Sequence, residues 1–346
     1  GTILPLLLAA ALAADLQAGT FLLFIGIWFI IYGLYYGLPV PLEPMKAIGV
    51  VVIAGGISAG EIAGSGILLG AIFLLLGGTR SMHRIERWIP SSVVRGLQAA
   101  LALVLLGTSA RYILPDVTIG LLAVAVILGC FLASRRWGFA DPSAFVVLGG
   151  GLLAGIAGAG LPAVSILPLP HLVIPQAGEW VSSAWRLALP QFPLTIGNAI
   201  LATALLSGDL FGKKLDPDRL SVTTGVMNLV TVPFGAFPMC HGAGGLAAQY
   251  RFGARTGLAN VIGGVILIII ALFFAGPAFL ALISPGVFGA LLVFIAIELG
   301  RHSLSTDSMT VTGIMAVVGF FLGIGIAFLV GLLLAYAIRI AKPCAG

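Results

Sequence analysis

Apolar runs long enough to cross a lipid bilayer follow one another almost without interruption along this 346-residue chain. Thr20–Gly37, Ile67–Gly78, Gly120–Ala133, Val261–Gly276 and Val311–Ile338 are examples, the last long enough for a tight pair. A membrane helix needs about 20 apolar residues, and on that spacing the chain holds about twelve to fourteen segments. The runs are continuously apolar rather than alternating, which excludes a porin-like barrel. Only 8% of the residues are charged, against about a quarter in soluble domains. Too few charges remain to cover a water-facing surface, so lipid must solvate most of the exterior. The expected fold class is an all-α polytopic membrane protein.

The formal charge of +5 is better explained by a positive-inside bias than by nucleic acid, which is excluded as a partner. Cys130, Cys240 and Cys344 are scattered in apolar context and form neither a disulfide framework nor a metal cluster. Ile3–Ala14 resembles a signal-peptide core in length but lacks a basic leader. We read it as the second half of a first membrane helix.

An internal repeat organises the chain. Asp15-Leu16 returns as Asp209-Leu210, Pro39 as Pro233, Pro44-Met45 as Pro238-Met239 and Gly70 as Gly264. After a one-residue shift Gly96 matches Gly289, and Leu106-Gly107 matches Leu299-Gly300. Collinear matches of this kind indicate duplication. Each unit holds about seven membrane segments, and an odd number puts the second copy in the membrane the other way up. The expected division is 1–160 for the first repeat (its first helix incomplete), 161–182 for an external linker and 183–346 for the second repeat, with no soluble regulatory domain. With a cytoplasmic start, fourteen of the seventeen basic residues fall on one side, as the positive-inside rule requires. Both termini are then cytoplasmic.

Two helices must break. Pro39–Lys46 carries three prolines and Pro233–Gly242 two, and each proline removes a donor and clashes with the preceding turn. Pro39–Glu43 is predicted to be extended, with a helix beginning near Pro44. Non-helical backbone at membrane depth is tolerated only within protein or along a cavity. Inverted copies bring two half-helix N-termini together, each with unpaired amides and about half a positive charge. That makes an anion site from Pro44, Met45, Lys46 and Ala47 in one copy and Met239, Cys240, His241, Gly242 and Ala243 in the other.

Glu43 and His241 are candidates to carry a proton with the anion, and an ion pair between Glu43 and Lys46 is the structural alternative. Gln191, Thr195 and Asn198, spaced four and three apart, share a helix face and can either contact an oxyanion or join helices. Asp15 and Asp209 read as helix-end caps. Glu61 and Glu298 are apolar-flanked carboxyls with no assigned role. No catalytic residue, metal site or cofactor is expected. Cys240 and His241 are adjacent, so on a helix they would point about 100° apart.

At these breaks the chain closely resembles a known family. Pro39–Ile48 and Phe234–Gly257 are similar to the two signature motifs of the molybdate transporter family related to sulfate permeases. The resemblance runs over nearly the whole chain. It implies a seven-plus-seven inverted repeat like that of uracil and sulfate permeases, with a core domain moving against a gate domain and two short strands preceding half-helices. It implies molybdate as substrate and a plasma- or inner-membrane location. The Gly-Asp-Leu-Gly-Thr start usual in the family is cut here to Gly1-Thr2.

The leading expectation is secondary import of a tetrahedral oxyanion, molybdate before sulfate, with a proton. A nucleobase permease, which would hold a planar base with carboxylates, and an uncoupled anion channel are the alternatives. The expected partners are the anion, the bilayer and, as an open option, a second copy in a homodimer.

Overall fold

A computed structural model of the chain describes residues 3–14, 16–86, 88–139, 141–162, 164 and 166–341. Fourteen segments are labelled in it. The first repeat supplies α1 (Ile3–Ala13), α2 (Ala18–Tyr36), strand β1 (Glu43–Pro44) leading into α3 (Lys46–Ala54), α4 (Ala59–Gly78), α5 (Ser91–Ile113), α6 (Val117–Trp137) and α7 (Ser143–Ala159). In the second, α8 (Glu179–Phe211) is followed by α9 (Pro217–Thr231), strand β2 (Met239–Cys240), α10 (Ala243–Arg251), α11 (Leu258–Phe273), α12 (Pro285–Ser303), α13 (Met309–Leu322) and α14 (Ile324–Ala341). The tight pair foreseen in Val311–Ile338 is α13 and α14, parted at Gly323, whose φ of 98° suits glycine.

Helix contacts repeat the duplication. Helix α2 packs on α11 as α9 packs on α4, while α5 crosses its own counterpart α12. Contacts of α5 with α13 and of α6 with α12 are again a related pair. The repeat-matched glycines sit at the crossings. A Cβ on Gly264 would lie 2.5 Å from the Gly26 carbonyl oxygen, and one on Gly70 would lie 3.2 Å from the Gly225 carbonyl oxygen. Small residues let these backbones meet. Segments α1–α4 and α8–α11 form the core; α5–α7 and α12–α14 form the gate.

Three local expectations are corrected. The first half-helix begins at Lys46, not near Pro44, because Pro44 is held in the strand pair. Helix α8 begins at Glu179, inside the stretch expected to be linker, and it contains π turns at Ser183–Ala188 and Thr195–Leu201. Asp209 lies within the last turn of α8, which ends at Gly212 in a left-handed conformation, and so caps nothing; Asp15 lies outside the described residues. The stretch before α8 is tied to the second repeat by amide bonds from Leu167 to the Leu272 carbonyl and from Val173 to the Pro233 carbonyl.

Glu61 finds a structural role. It closes a capping box with Ser58 at the start of α4, accepts a hydrogen bond from Ser182, and lies 3.5 Å from the Arg186 guanidinium. These contacts fasten α4 to the start of α8.

Candidate functional site: a cavity between two half-helices

The two breaks pair with each other. Strands β1 and β2 run antiparallel, with Glu43 opposite Cys240 and Pro44 opposite Met239. The Met45 amide donates to the Pro238 carbonyl at 2.9 Å. Proline's missing donor therefore costs this two-residue ladder little. Pairing points α3 and α10 away from a common origin, so both N-termini open on one place.

Each break is anchored by a buried asparagine. Asn228 of α9 donates to the Met239 carbonyl at 2.7 Å and accepts from the Met239 amide at 2.9 Å. Asn260 of α11 donates to the Val40 carbonyl at 2.5 Å. Extended backbone at membrane depth needs such partners, since no water supplies them.

A cavity of about 210 Å³ lies at the meeting point. A single water needs about 10–15 Å³ by this measure, so a tetrahedral oxyanion fits with room for hydration. The core lines it with Glu43, Pro44, Lys46, Cys240, Gly242 and Ala243, together with Gln191 and Asn198 of α8. The gate contributes Arg95 and Gln98 of α5 and Glu298 and His302 of α12. These four were not singled out as binding groups from the sequence. Only Glu298 had drawn notice, and helix packing alone brings it here.

Polar contacts within the site are specific. Glu43 is buried, and its carboxylate lies 3.3 Å from Lys46 Nζ; the ion pair is formed. The same carboxylate rests on the first turn of α10. A Cβ on Gly242 would come within 2.5 Å of both its oxygens, and one on Gly245 within 2.6 Å of Oε1. Glycine at these two positions makes room for the acid. The Ala47 amide, a free donor at the start of α3, is held by Gln191 Oε1 at 2.8 Å, and Gln191 Nε2 donates to Thr195 Oγ1 at 2.8 Å. Thr195 thus stands behind Gln191 rather than on the cavity wall, while Asn198 reaches the wall itself. Met45, Ala47 and Met239 supply backbone beneath the surface.

His241 turns the other way. It is fully buried, its Nδ1 donates to the Pro41 carbonyl at 3.2 Å, and its Nε2 lies 2.8 Å from Thr223 Oγ1. Tyr32 and Tyr36 pack around the ring at centroid distances of 5.4 and 5.8 Å. Both nitrogens are committed to joining the first break to α9, and the side chain does not line the cavity.

The core bears two opposed half-helices and is set against the gate across a charged cavity, an arrangement whose fold is shared with solved transporters. The transmembrane domain of the cyanobacterial bicarbonate transporter BicA superposes with a TM-score of 0.70 at 17% identity, covering 95% of this chain and 93% of that one. Murine Slc26a9, an anion transporter in its inward-facing state, gives 0.74 at 16% identity, over 99% of this chain and 66% of that one.

Residues 1–105 and 183–299 match the family described as "Molybdate transporter of MFS superfamily", and the chain belongs to that family. It is 33% identical to molybdate transporter 2 of Arabidopsis thaliana, over 94% of this chain and 83% of that protein. Molybdate transporter 1 of Chlamydomonas reinhardtii is 28% identical over 96% and 88%. The superfamily in that description is built from two six-helix halves, whereas each half here has seven segments. The chain is a multi-pass membrane protein and an anion transporter.

Proposed function

We propose that this protein is a secondary active importer of molybdate, driven by protons and working by alternating access, and that the anion binds in the cavity between α3 and α10. The carrying observation is the β1–β2 pairing, which sets two helix N-termini and Lys46 on one cavity. Each N-terminus is worth about half a positive charge. With Lys46 the positive side is about +2, a match for a tetrahedral dianion, provided that Glu43 is neutral.

Glu43 is therefore the proton carrier in this reading. Its carboxylate pairs with Lys46 and occupies the first turn of α10 when charged. A proton removes both interactions and frees the site for the anion. His241 is set aside as a carrier, because its two nitrogens are bonded away from the cavity.

The cavity's gate wall carries Arg95 and His302, beside exposed Arg301. These belong to the basic face, which the positive-inside rule assigns to the cytoplasm. The reading follows that the cavity faces inward, that the termini are cytoplasmic and that the protein sits in a plasma or inner membrane. The division into two repeats, the second opening with α8 at Glu179, and pairing into a homodimer belong to the same proposal.

Uptake of labelled molybdate into proteoliposomes tests it. Accumulation is expected with an imposed proton gradient, saturating with substrate, with unlabelled molybdate competing better than sulfate. The Glu43→Gln variant is expected to lose the dependence on the gradient. Unsaturable flux indifferent to pH would indicate a channel, and stronger competition by sulfate would reassign the substrate.

A further inference from the structure

Glu298 is half-buried on α12, and its Oε1 lies 3.9 Å from where a Cβ on Gly244 would stand. Gly244 is in the first turn of α10. The gate thus presents a carboxylate to the same glycine turn that Glu43 approaches from the core. Glu298 lines the same cavity as Glu43 and Lys46. Arg95 and His302 line the same wall.

This approach of a gate side chain to a core helix crosses the boundary between the two domains. A helix N-terminus attracts whatever anion is nearest, and here the gate supplies one of its own. With Glu43 protonated, as the proposed function requires, the Glu298 carboxylate and a free oxyanion compete for that turn, because like charges at such distances repel strongly where water is scarce.

We propose that Glu298 is a tethered competitor for the oxyanion site and thereby sets its charge selectivity. Docked on α10, its carboxylate holds the gate against the core. A dianion displaces it, because two charges outbid one at the paired N-termini and Lys46. A monovalent anion carries no more charge than the carboxylate and does not. Displacement frees the gate from the core, so that binding the correct charge is what permits movement. This rests on the reading of the cavity as an oxyanion site.

The test is direct binding to the full-length chain in detergent, by calorimetry, with molybdate and nitrate as probes at fixed pH. Glu298→Gln is expected to bind molybdate about tenfold more tightly than the unmodified chain and to acquire measurable nitrate binding. Glu298→Asp is expected to keep the original preference. A gain of affinity is a result that mere structural damage does not produce. Glu298→Ser serves as a second neutral variant should Glu298→Gln fold poorly. Wild-type or weaker molybdate affinity in a folded neutral variant overturns the proposal. An unmodified chain that binds no molybdate overturns the oxyanion reading, and this inference with it.

Discussion

At the scale of single residues, the site separates groups that face the cavity from groups that hold the backbone in place. Glu43 and His241 occupy corresponding neighbourhoods in the two breaks, yet one faces the cavity and the other a cage of Tyr32, Tyr36 and Thr223. Their variants are expected to diverge. Glu43→Gln should flatten the pH dependence of uptake, while His241→Gln should lower the rate and leave the shape of the pH profile unchanged. Uptake measured across a pH series distinguishes them, and a flattened profile in His241→Gln would return the histidine to the proton path. Asn228 gives a second prediction. It satisfies both polar groups of Met239, and leaving them unpaired in a buried place is costly. Asn228→Ala is expected to cost about 3 kcal/mol, seen as earlier thermal unfolding in detergent, with loss of uptake. The sequence showed His241 but not its direction. A residue between a strand and a helix can point either way, and its partners lie on Pro41 and Thr223, remote in the chain. Asn228 and Asn260 were not singled out from the sequence.

Secondary-structure elements were the most legible level. Proline removes a donor in any surroundings, so both breaks could be placed before any packing was known. What could not be read was that they pair, since a ladder of two residues on each side leaves no periodic signal. Pairing also explains the late start of α3, because Pro44 is retained in β1 and Met45 becomes the residue before the helix. The repeat was legible through glycines such as Gly70 and Gly264, and their helix crossings give a further prediction. A Cβ on Gly225 would sit 2.5 Å from the Leu74 amide nitrogen and 2.7 Å from the Gly70 carbonyl oxygen, both backbone atoms. Gly225→Val is expected to separate α4 from α9 and to destabilise the protein by about 3 kcal/mol. Gly313→Val, where a Cβ meets nothing within 4 Å, should be nearly silent in the same unfolding assay. Equal losses at both positions would contradict the crossing argument.

At the scale of the whole molecule, the core carries both half-helices and the gate carries Arg95, Gln98, Glu298 and His302. None of the gate residues could be assigned to the cavity from the sequence, because Arg95 and Glu298 stand 203 residues apart in the chain and are brought together by the crossing of α5 and α12. The proposed movement of the core against the gate has a direct consequence. Cysteines at positions 244 and 298, introduced where Cys130, Cys240 and Cys344 are serine, should be joined by a short thiol cross-linker. Uptake is then expected to stop and to resume when a cleavable linker is reduced. Continued uptake by fully cross-linked protein would show that the two domains need not separate there.

The central claim is that an oxyanion is held between the paired half-helices, and molybdenum is heavy enough to locate directly. An anomalous difference map from crystals grown with molybdate should show one strong peak in the cavity, between residues 44–47 on one side and 238–243 on the other. A peak elsewhere, with that gap left without signal at saturating molybdate, would contradict the claim.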